Sequence, residues 1–215
     1  MSGGKVIVFD FDGVIIPSEE LKVEAYTRIF TDFGEEAPEE AIREARQEFA
    51  DARGNRFDAV RGIFRRTGRA GDIEKAVQTY GGRYGDIVRK GITELRVDDA
   101  TRKTLERLSK IYPLYINSNN PDEFLREMLR MLGIEPLFKG IYSSLHTKVE
   151  NLRDIAKTEH LEPNAVVFIG DGEGDRKAAD DFGCTFIGVA TKLNGWQKGK
   201  ESFHVVSSLG ELDIT

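Results

Sequence analysis

Short apolar runs recur along the chain, and a segment with a helical pattern separates each run from the next. The first run, Lys5 to Phe9, is rich in β-branched residues and ends at Asp10. Such a short continuous run predicts a strand that is buried on both faces, as strands in parallel sheets are. The alternation of strands and helices therefore predicts an α/β fold with a doubly wound parallel sheet. The other runs with this signature are Tyr112–Asn117, Phe138–Tyr142, Ala165–Ile169 and Thr185–Ala190.

One long stretch, from about Ser18 to Lys90, contains helical patterns but no strand pattern. It follows the first strand, so it would leave the sheet at the carboxyl end of that strand, where ligands bind in open α/β sheets. We therefore predict a core domain formed by residues 1–17 and 91–215 and an inserted all-helical cap domain, residues 18–90, that can act as a lid. The residues predicted to end or separate the cap helices are Gly34, Pro38, Gly54, Gly68 and Gly81–Gly82.

Composition excludes several classes of protein. The chain has 37 acidic and 31 basic residues and a net charge of −6, which does not favour binding to nucleic acid or to a membrane. No apolar run approaches the roughly 20 residues that a transmembrane helix needs. The single cysteine, Cys184, lies in an apolar segment and is expected to be a small buried hydrophobe. We expect a cytoplasmic protein that is a monomer or a homodimer.

Acidic residues follow two of the predicted strands. Asp10 and Asp12 flank Phe11 after the first strand, while Asp171 follows the run Ala165–Ile169 closely and Asp175 lies one helical turn further on. Neighbouring parallel strands would bring both pairs to the same edge of the sheet. Several carboxylates at one place form a hard oxygen site that suits Mg²⁺. Asp residues also cap helices and end strands, which is the alternative interpretation for each one taken alone.

Two further positions offer what a phosphate group needs. Ser118 and Asn119 follow a predicted strand and precede a helix, where a hydroxyl and free backbone N–H groups can bind an anion, although an ordinary cap and turn has the same pattern. Lys148 lies where the helix KVENLRDIAK begins, an end at which the helix dipole disfavours a cation. This position favours a functional role over a solvated surface lysine.

Four ordered segments together resemble the motifs of the haloacid dehalogenase superfamily of phosphohydrolases. The segments are DFDGV, INSNN, the lysine Lys148 and FIGDGEGD. With the helical insertion after the first segment, the chain is most similar to the branch that contains phosphoglycolate phosphatase and β-phosphoglucomutase. The resemblance implies a Rossmann-like core, a cap domain, a Mg²⁺ cofactor and a small phosphorylated metabolite as substrate.

The resemblance also implies a role for each matching residue. Asp10 would attack phosphorus, and Asp12 would protonate the leaving oxygen and then activate water. Asp10, the backbone carbonyl of Asp12 and Asp171 would hold Mg²⁺, with Asp175 supporting the metal directly or through another ligand. Ser118 would bind a phosphoryl oxygen, and Lys148 would offset negative charge, with Lys139 as the competing candidate.

Other functions remain open at this point. An aspartate at position 12 disfavours dehalogenase and phosphonatase chemistry, whereas a phosphosugar mutase uses the same core and differs in how the cap excludes water. A binding protein that keeps the fold without turnover is the alternative from another class. In the cap, Arg53 and Arg56 flank a predicted loop and are candidates for contact with an anionic substrate group, although a solvated helical face has the same pattern.

Overall fold

The computed structural model describes residues 4–50 and 55–214, which divide into two compact units. One unit runs to Pro17 and resumes at Leu95, and the other spans Ser18–Glu94. The first unit contains a parallel sheet of strands β1 to β6 in the order β3-β2-β1-β4-β5-β6. The predicted parallel α/β fold is therefore confirmed. The strands are β1 (Val6–Phe9), β2 (Leu114–Asn117), β3 (Gly140–Tyr142), β4 (Val166–Gly170), β5 (Thr185–Val189) and β6 (His204–Val206).

The first strand lies in the interior of the sheet. All its residues are buried, and it pairs with β2 on one side and with β4 on the other. In this register Phe9 lies opposite Ile116 and Ile169. Because the three strands are parallel, the residues that follow them meet at one edge of the sheet.

Helices connect the strands of the first unit and form the described part of the second. Each helix of the first unit buries an apolar face, as the burial of Leu105 and Leu125 illustrates. The helices of the second unit are α1 (Glu19–Thr31), α2 (Glu39–Ala50), α3 (Arg56–Thr67) and α4 (Ile73–Glu94). Those of the first unit are α5 (Asp99–Leu108), α6 (Asp122–Met131), α7 (Lys148–Glu159) and α8 (Glu173–Phe182). No helix among the described residues is long and apolar enough to cross a membrane.

The helical unit packs around the rings of Phe30, Phe64 and Tyr80, with centroids 5.0–6.4 Å apart. Gly81 was predicted, with Gly82, to end a helix, but this prediction is wrong because both residues lie inside α4. A Cβ atom at Gly81 would lie 2.3 Å from the Phe57 ring. Gly81 therefore allows α3 and α4 to pack closely, and α4 continues to Glu94. The predicted separator Gly54 lies outside the described residues.

A polar cluster joins two parts of the helical unit. Glu35 accepts hydrogen bonds from Tyr80 and from Arg83, the latter at 3.0 Å, and forms an ion pair with Arg69 at 3.4 Å. The Tyr80 hydrogen bond does most to hold the pKa of Glu35 below its usual value, and the two guanidinium groups add to this against the opposing effect of burial. The cluster ties the loop after α1 to α4.

Candidate active site

The turn after β1 places Asp10 and Asp12 at the carboxyl edge of the sheet. The N–H of Phe11 donates to Oδ1 of Asp10 at 2.7 Å, and the N–H of Asp10 donates to Ile169 in β4. The Phe11 carbonyl in turn accepts the N–H groups of Ile15 and Ile16, which closes the turn. Both aspartates are buried, at 8% and 7% exposure.

Three carboxylates converge at this edge. Asp10, Asp171 and Asp175 each offer an oxygen, and these atoms lie within 4.8 Å of one another. Gly13 makes this arrangement possible, because a Cβ atom at this position would lie 1.9 Å from Oδ2 of Asp171. Its φ of +71° also favours glycine.

Lys148 lies between two of these carboxylates. Its Nζ atom is 2.9 Å from Oδ2 of Asp10 and forms a second ion pair with Asp175. Burial alone would lower the pKa of Lys148, but the two carboxylates outweigh it and raise the pKa above its usual value. The competing candidate, Lys139, instead pairs with Glu159 at 2.6 Å.

Two buried asparagines hold the start of α7, and with it Lys148. Asn117, the last residue of β2, donates through Nδ2 to the Lys148 carbonyl at 3.0 Å. Asn151 donates to Oδ1 of Asn117 at 2.9 Å and to the Ser143 carbonyl at 3.1 Å. Thr147 and Glu150 form a capping box at the same helix end. The sequence pattern did not single out these asparagines, whose role depends on contacts between strand β2 and helix α7.

The charge balance of the cluster is suited to a cation. Burial raises the pKa of Asp10 to about 7, because it outweighs the opposing attraction of Lys148, and repulsion from Asp175 and Asp12 adds to the effect. A single ammonium therefore does not compensate this group of carboxylates. Grouped carboxylate oxygens are the donors that hard divalent cations such as Mg²⁺ prefer, so the residues present fit such an ion.

Asp12 is linked to Ser118 through Asn120. The side-chain amide of Asn120 donates to Oδ2 of Asp12 at 2.5 Å and to Oγ of Ser118 at 3.0 Å. Asn120 precedes Pro121, a pattern typical of a helix cap, but α6 begins at Asp122 and Pro121 occupies the cap position. Ser118 is buried, whereas its neighbour Asn119 is exposed.

A fourth asparagine, Asn194, supports Asp171 from the loop after β5. Asn194 donates through Nδ2 to the carbonyl of Asp171 at 2.9 Å and to that of Val189 at 2.8 Å. Its Oδ1 accepts the N–H groups of Thr191 and Trp196. The loop after β5 is thereby attached to the backbone that carries Asp171, another contact that the sequence pattern did not reveal.

Arginines of the helical unit differ in their contacts. Arg61 and Arg66 each pair with two carboxylates of the helical unit, as a solvated helical face would. Arg56, the first residue of α3, stacks on Phe57 with 4.8 Å between its Cζ atom and the ring centroid. Its Nε atom is buried without a hydrogen-bond partner, and the described residues offer Arg56 no ion pair. Arg53 lies outside the described residues.

Comparisons with known proteins agree with this geometry. A curated 5′-nucleotidase of Pseudomonas aeruginosa is 33% identical over 106 residues, which cover 46% of this chain and 48% of that protein. The chain thus matches only about half the length of that relative. A phosphoglycolate phosphatase of Pasteurella multocida is 26% identical over 202 residues, 90% of this chain and 89% of that protein.

A solved structure shares the fold over nearly its whole length. The putative β-phosphoglucomutase from Thermotoga maritima has a TM-score of 0.74 and 21% identity, and the match covers 96% of this chain and 95% of that one. The family model for haloacid dehalogenase-like hydrolases matches residues 7–189, a span that contains the whole acidic cluster and Lys148. The chain therefore belongs to the haloacid dehalogenase-like hydrolase family.

Proposed function

We propose that this hydrolase is a Mg²⁺-dependent phosphatase that acts on a small phosphorylated metabolite. The observation that carries the proposal is the contact of Asp10 with Lys148 inside a cluster of carboxylates. Phosphoryl transfer depends mainly on positioning and on the neutralisation of charge, and this site offers both. Two relatives described as phosphatase and nucleotidase support the same class of reaction.

The proposed reaction has two steps. In the first, a carboxylate oxygen of Asp10 bonds to phosphorus, the ester P–O bond breaks, and Asp12 gives a proton to the departing oxygen. In the second, Asp12 takes a proton from water, the water oxygen bonds to phosphorus, and the Asp10–phosphorus bond breaks to release phosphate. Asp12 ends each cycle protonated, as it began.

The remaining residues of the site are proposed to bind the metal ion and the phosphate group. We propose that Asp10, Asp171, Asp175 and the backbone carbonyl of Asp12 hold the Mg²⁺ ion. When bound, this ion offsets the negative charge of the phosphate and the carboxylates. Ser118 and Asn119 are proposed to bind phosphoryl oxygens, and Lys148 to stabilise the charge that develops in the transition state.

Substrate selection is proposed to depend on Arg56 in the helical unit. Arg56 has a buried Nε atom without a partner, and an anionic group of the substrate would supply one. We therefore propose a metabolite with a second negative group, such as a phosphorylated carboxylate of the phosphoglycolate type, with Arg53 as a further contact. In a panel of phosphorylated metabolites, Arg56→Met should weaken turnover of the preferred anionic substrate and spare 4-nitrophenyl phosphate. Equal turnover of the preferred substrate by parent and variant would show that Arg56 does not bind the substrate.

The function is tested with 4-nitrophenyl phosphate. The parent should release phosphate only when Mg²⁺ is present, and Asp10→Asn, which keeps the size of the side chain, should abolish release. A phosphorylated aspartyl peptide that contains position 10 should be trapped from the parent by rapid acid quench. An Asp10→Asn variant with parental activity would refute the nucleophile assignment.

A further inference from the structure

Asn120 contacts two groups of the site through one side-chain amide. The amide carries two N–H donors, and Nδ2 is within reach of both Oδ2 of Asp12, at 2.5 Å, and Oγ of Ser118, at 3.0 Å. One donor for each acceptor satisfies the amide nitrogen completely. Asp12 follows β1 and Ser118 follows β2, so this side chain joins the ends of two neighbouring strands.

The backbone of Asn120 is fixed on both sides. Its N–H is directed at Oγ of Ser118 at 3.3 Å, and its carbonyl accepts the N–H of Ser144 at 3.0 Å. The side chain is half-buried, between the buried Asp12 and Ser118. The amide is therefore held in place before a substrate arrives, which is the requirement for a positioning group.

These contacts determine which atoms carry hydrogen. Because Oδ2 of Asp12 accepts an N–H, a proton on this carboxyl group is carried by Oδ1. Because Oγ of Ser118 accepts two N–H groups, its own hydrogen is the donor that remains for an anion. One amide therefore orients both the proposed acid and the proposed phosphate-binding hydroxyl.

We propose that Asn120 is a positioning residue that sets Asp12 for proton transfer from Oδ1. This inference rests on the proposed phosphatase function. As the bond from Asp10 to phosphorus forms and the ester bond breaks, the Oδ1 proton moves to the departing oxygen, and the alcohol leaves neutral while Asp12 becomes a carboxylate. Without the amide, the Asp12 carboxyl group rotates away from this alignment.

The leaving group provides the test. 4-Nitrophenyl phosphate releases a weakly basic phenolate that needs little protonation, whereas 4-methoxyphenyl phosphate releases a much more basic one of similar size. For Asn120→Ala, kcat/KM should fall at least about tenfold more on the methoxy ester than on the nitro ester, because general acid catalysis contributes about 10²- to 10⁴-fold when fully aligned. A role in packing or in phosphate binding would lower both rates equally.

Two further variants serve as controls for this test. Asn120→Leu keeps nearly the same shape without donors and should show the same selective loss, which excludes misfolding as the cause. Asn164→Ala makes the same change at an exposed asparagine before β4 and should leave both rates unchanged. Equal losses on the two esters in both Asn120 variants would overturn the inference alone. A parent that hydrolyses neither ester would overturn the proposed function and the inference with it.

Discussion

Nζ of Lys148 lies 2.9 Å from Oδ2 of Asp10, although only 9% and 11% of these side chains are exposed. The two partners of a buried ion pair depend on each other, because removal of one leaves an uncompensated buried charge. In the sequence the two residues lie on either side of the helical unit, Ser18–Glu94. Their contact makes Lys148 the first target for mutation.

Lys148→Met should lower kcat/KM for phosphate esters by about 100-fold or more, the scale seen when one preorganised charged donor is lost. Methionine keeps a long apolar stem but provides no charge for Asp10 and Asp175. Lys139→Met is the matched control, because Lys139 pairs with Glu159 and not with the acidic cluster. The measurement is kcat/KM of both variants by steady-state kinetics, and an equal loss in the two would contradict the assignment of Lys148.

Gly13→Ala should weaken the affinity of the proposed metal site for Mg²⁺. The new Cβ atom would lie 1.9 Å from Oδ2 of Asp171, so this carboxylate has to move. We expect the half-saturating Mg²⁺ concentration to rise about tenfold or more, as changes around metal ligands commonly cause.

Gly133→Ala is the control for backbone strain. Gly133 has a φ of +66°, close to the +71° of Gly13, but no atom lies within 4 Å of an added Cβ. Each alanine should cost about 1–2 kcal/mol of stability through its left-handed conformation. Thermal melts should therefore show a loss of stability in both variants, while Mg²⁺ titrations of activity should be altered only in Gly13→Ala. A parental Mg²⁺ requirement in Gly13→Ala would argue against Asp171 as a ligand.

The Glu35 cluster should make the helical unit sensitive to acid. Glu35 has a lowered pKa, so its contribution to stability is present above the ordinary value of 4.5 and is lost as the pH falls through the folded-state value. The groups that face it are Tyr80, Arg69 and Arg83. Glu35→Gln should therefore lower the melting temperature near neutral pH, with a difference from the parent that narrows in acid.

The control for this change is its neighbour in the chain. Glu36 is exposed, and Glu36→Gln should follow the parent at every pH. Melting curves recorded by circular dichroism between neutral pH and pH 3 provide the measurement. A constant difference between Glu35→Gln and the parent over that range would mean that the charge of Glu35 is not what stabilises the cluster.

Cys184 should react slowly with thiol reagents in the folded chain. The residue is half-buried against the apolar core beside β5, and burial raises the pKa of its thiol to about 12. Little thiolate therefore exists at pH 8, and the thiolate is the reactive form. Labelling with a disulfide reagent should be slow in buffer and rapid in denaturant. Labelling at the same rate in both solutions would show that the thiol is accessible.

The sequence predicted the strands well because their signal is local. The apolar run that ends at Asp10 is a buried strand, and Lys148 does begin a helix at the edge where Asp10 lies. Continuous apolar runs and cap residues depend on a few neighbours in the chain, which is why a pattern identifies them.

The missed features depend on contacts between distant segments. Asn120 before a proline has the pattern of a helix cap, yet its amide binds Asp12 from another strand. Gly81 has the pattern of a helix end, yet it remains helical because Phe57 packs against it. The roles of Asn117 and Asn151 were not predicted, since they rest on hydrogen bonds between strand β2 and helix α7. Tertiary packing decides these positions.

The position of β1 has a consequence for synthesis of the chain. Both of its neighbours in the sheet, β2 and β4, are encoded after the helical unit, so the first strand is made long before either partner exists. Until then its apolar VIVF segment exposes unpaired backbone groups, a state prone to aggregation. The strand that leads to Asp10, the proposed nucleophile, is thus synthesised first, and its neighbouring strands follow late. Slow translation after Glu94 would lengthen this exposure and reduce the yield of folded protein without any change in its sequence.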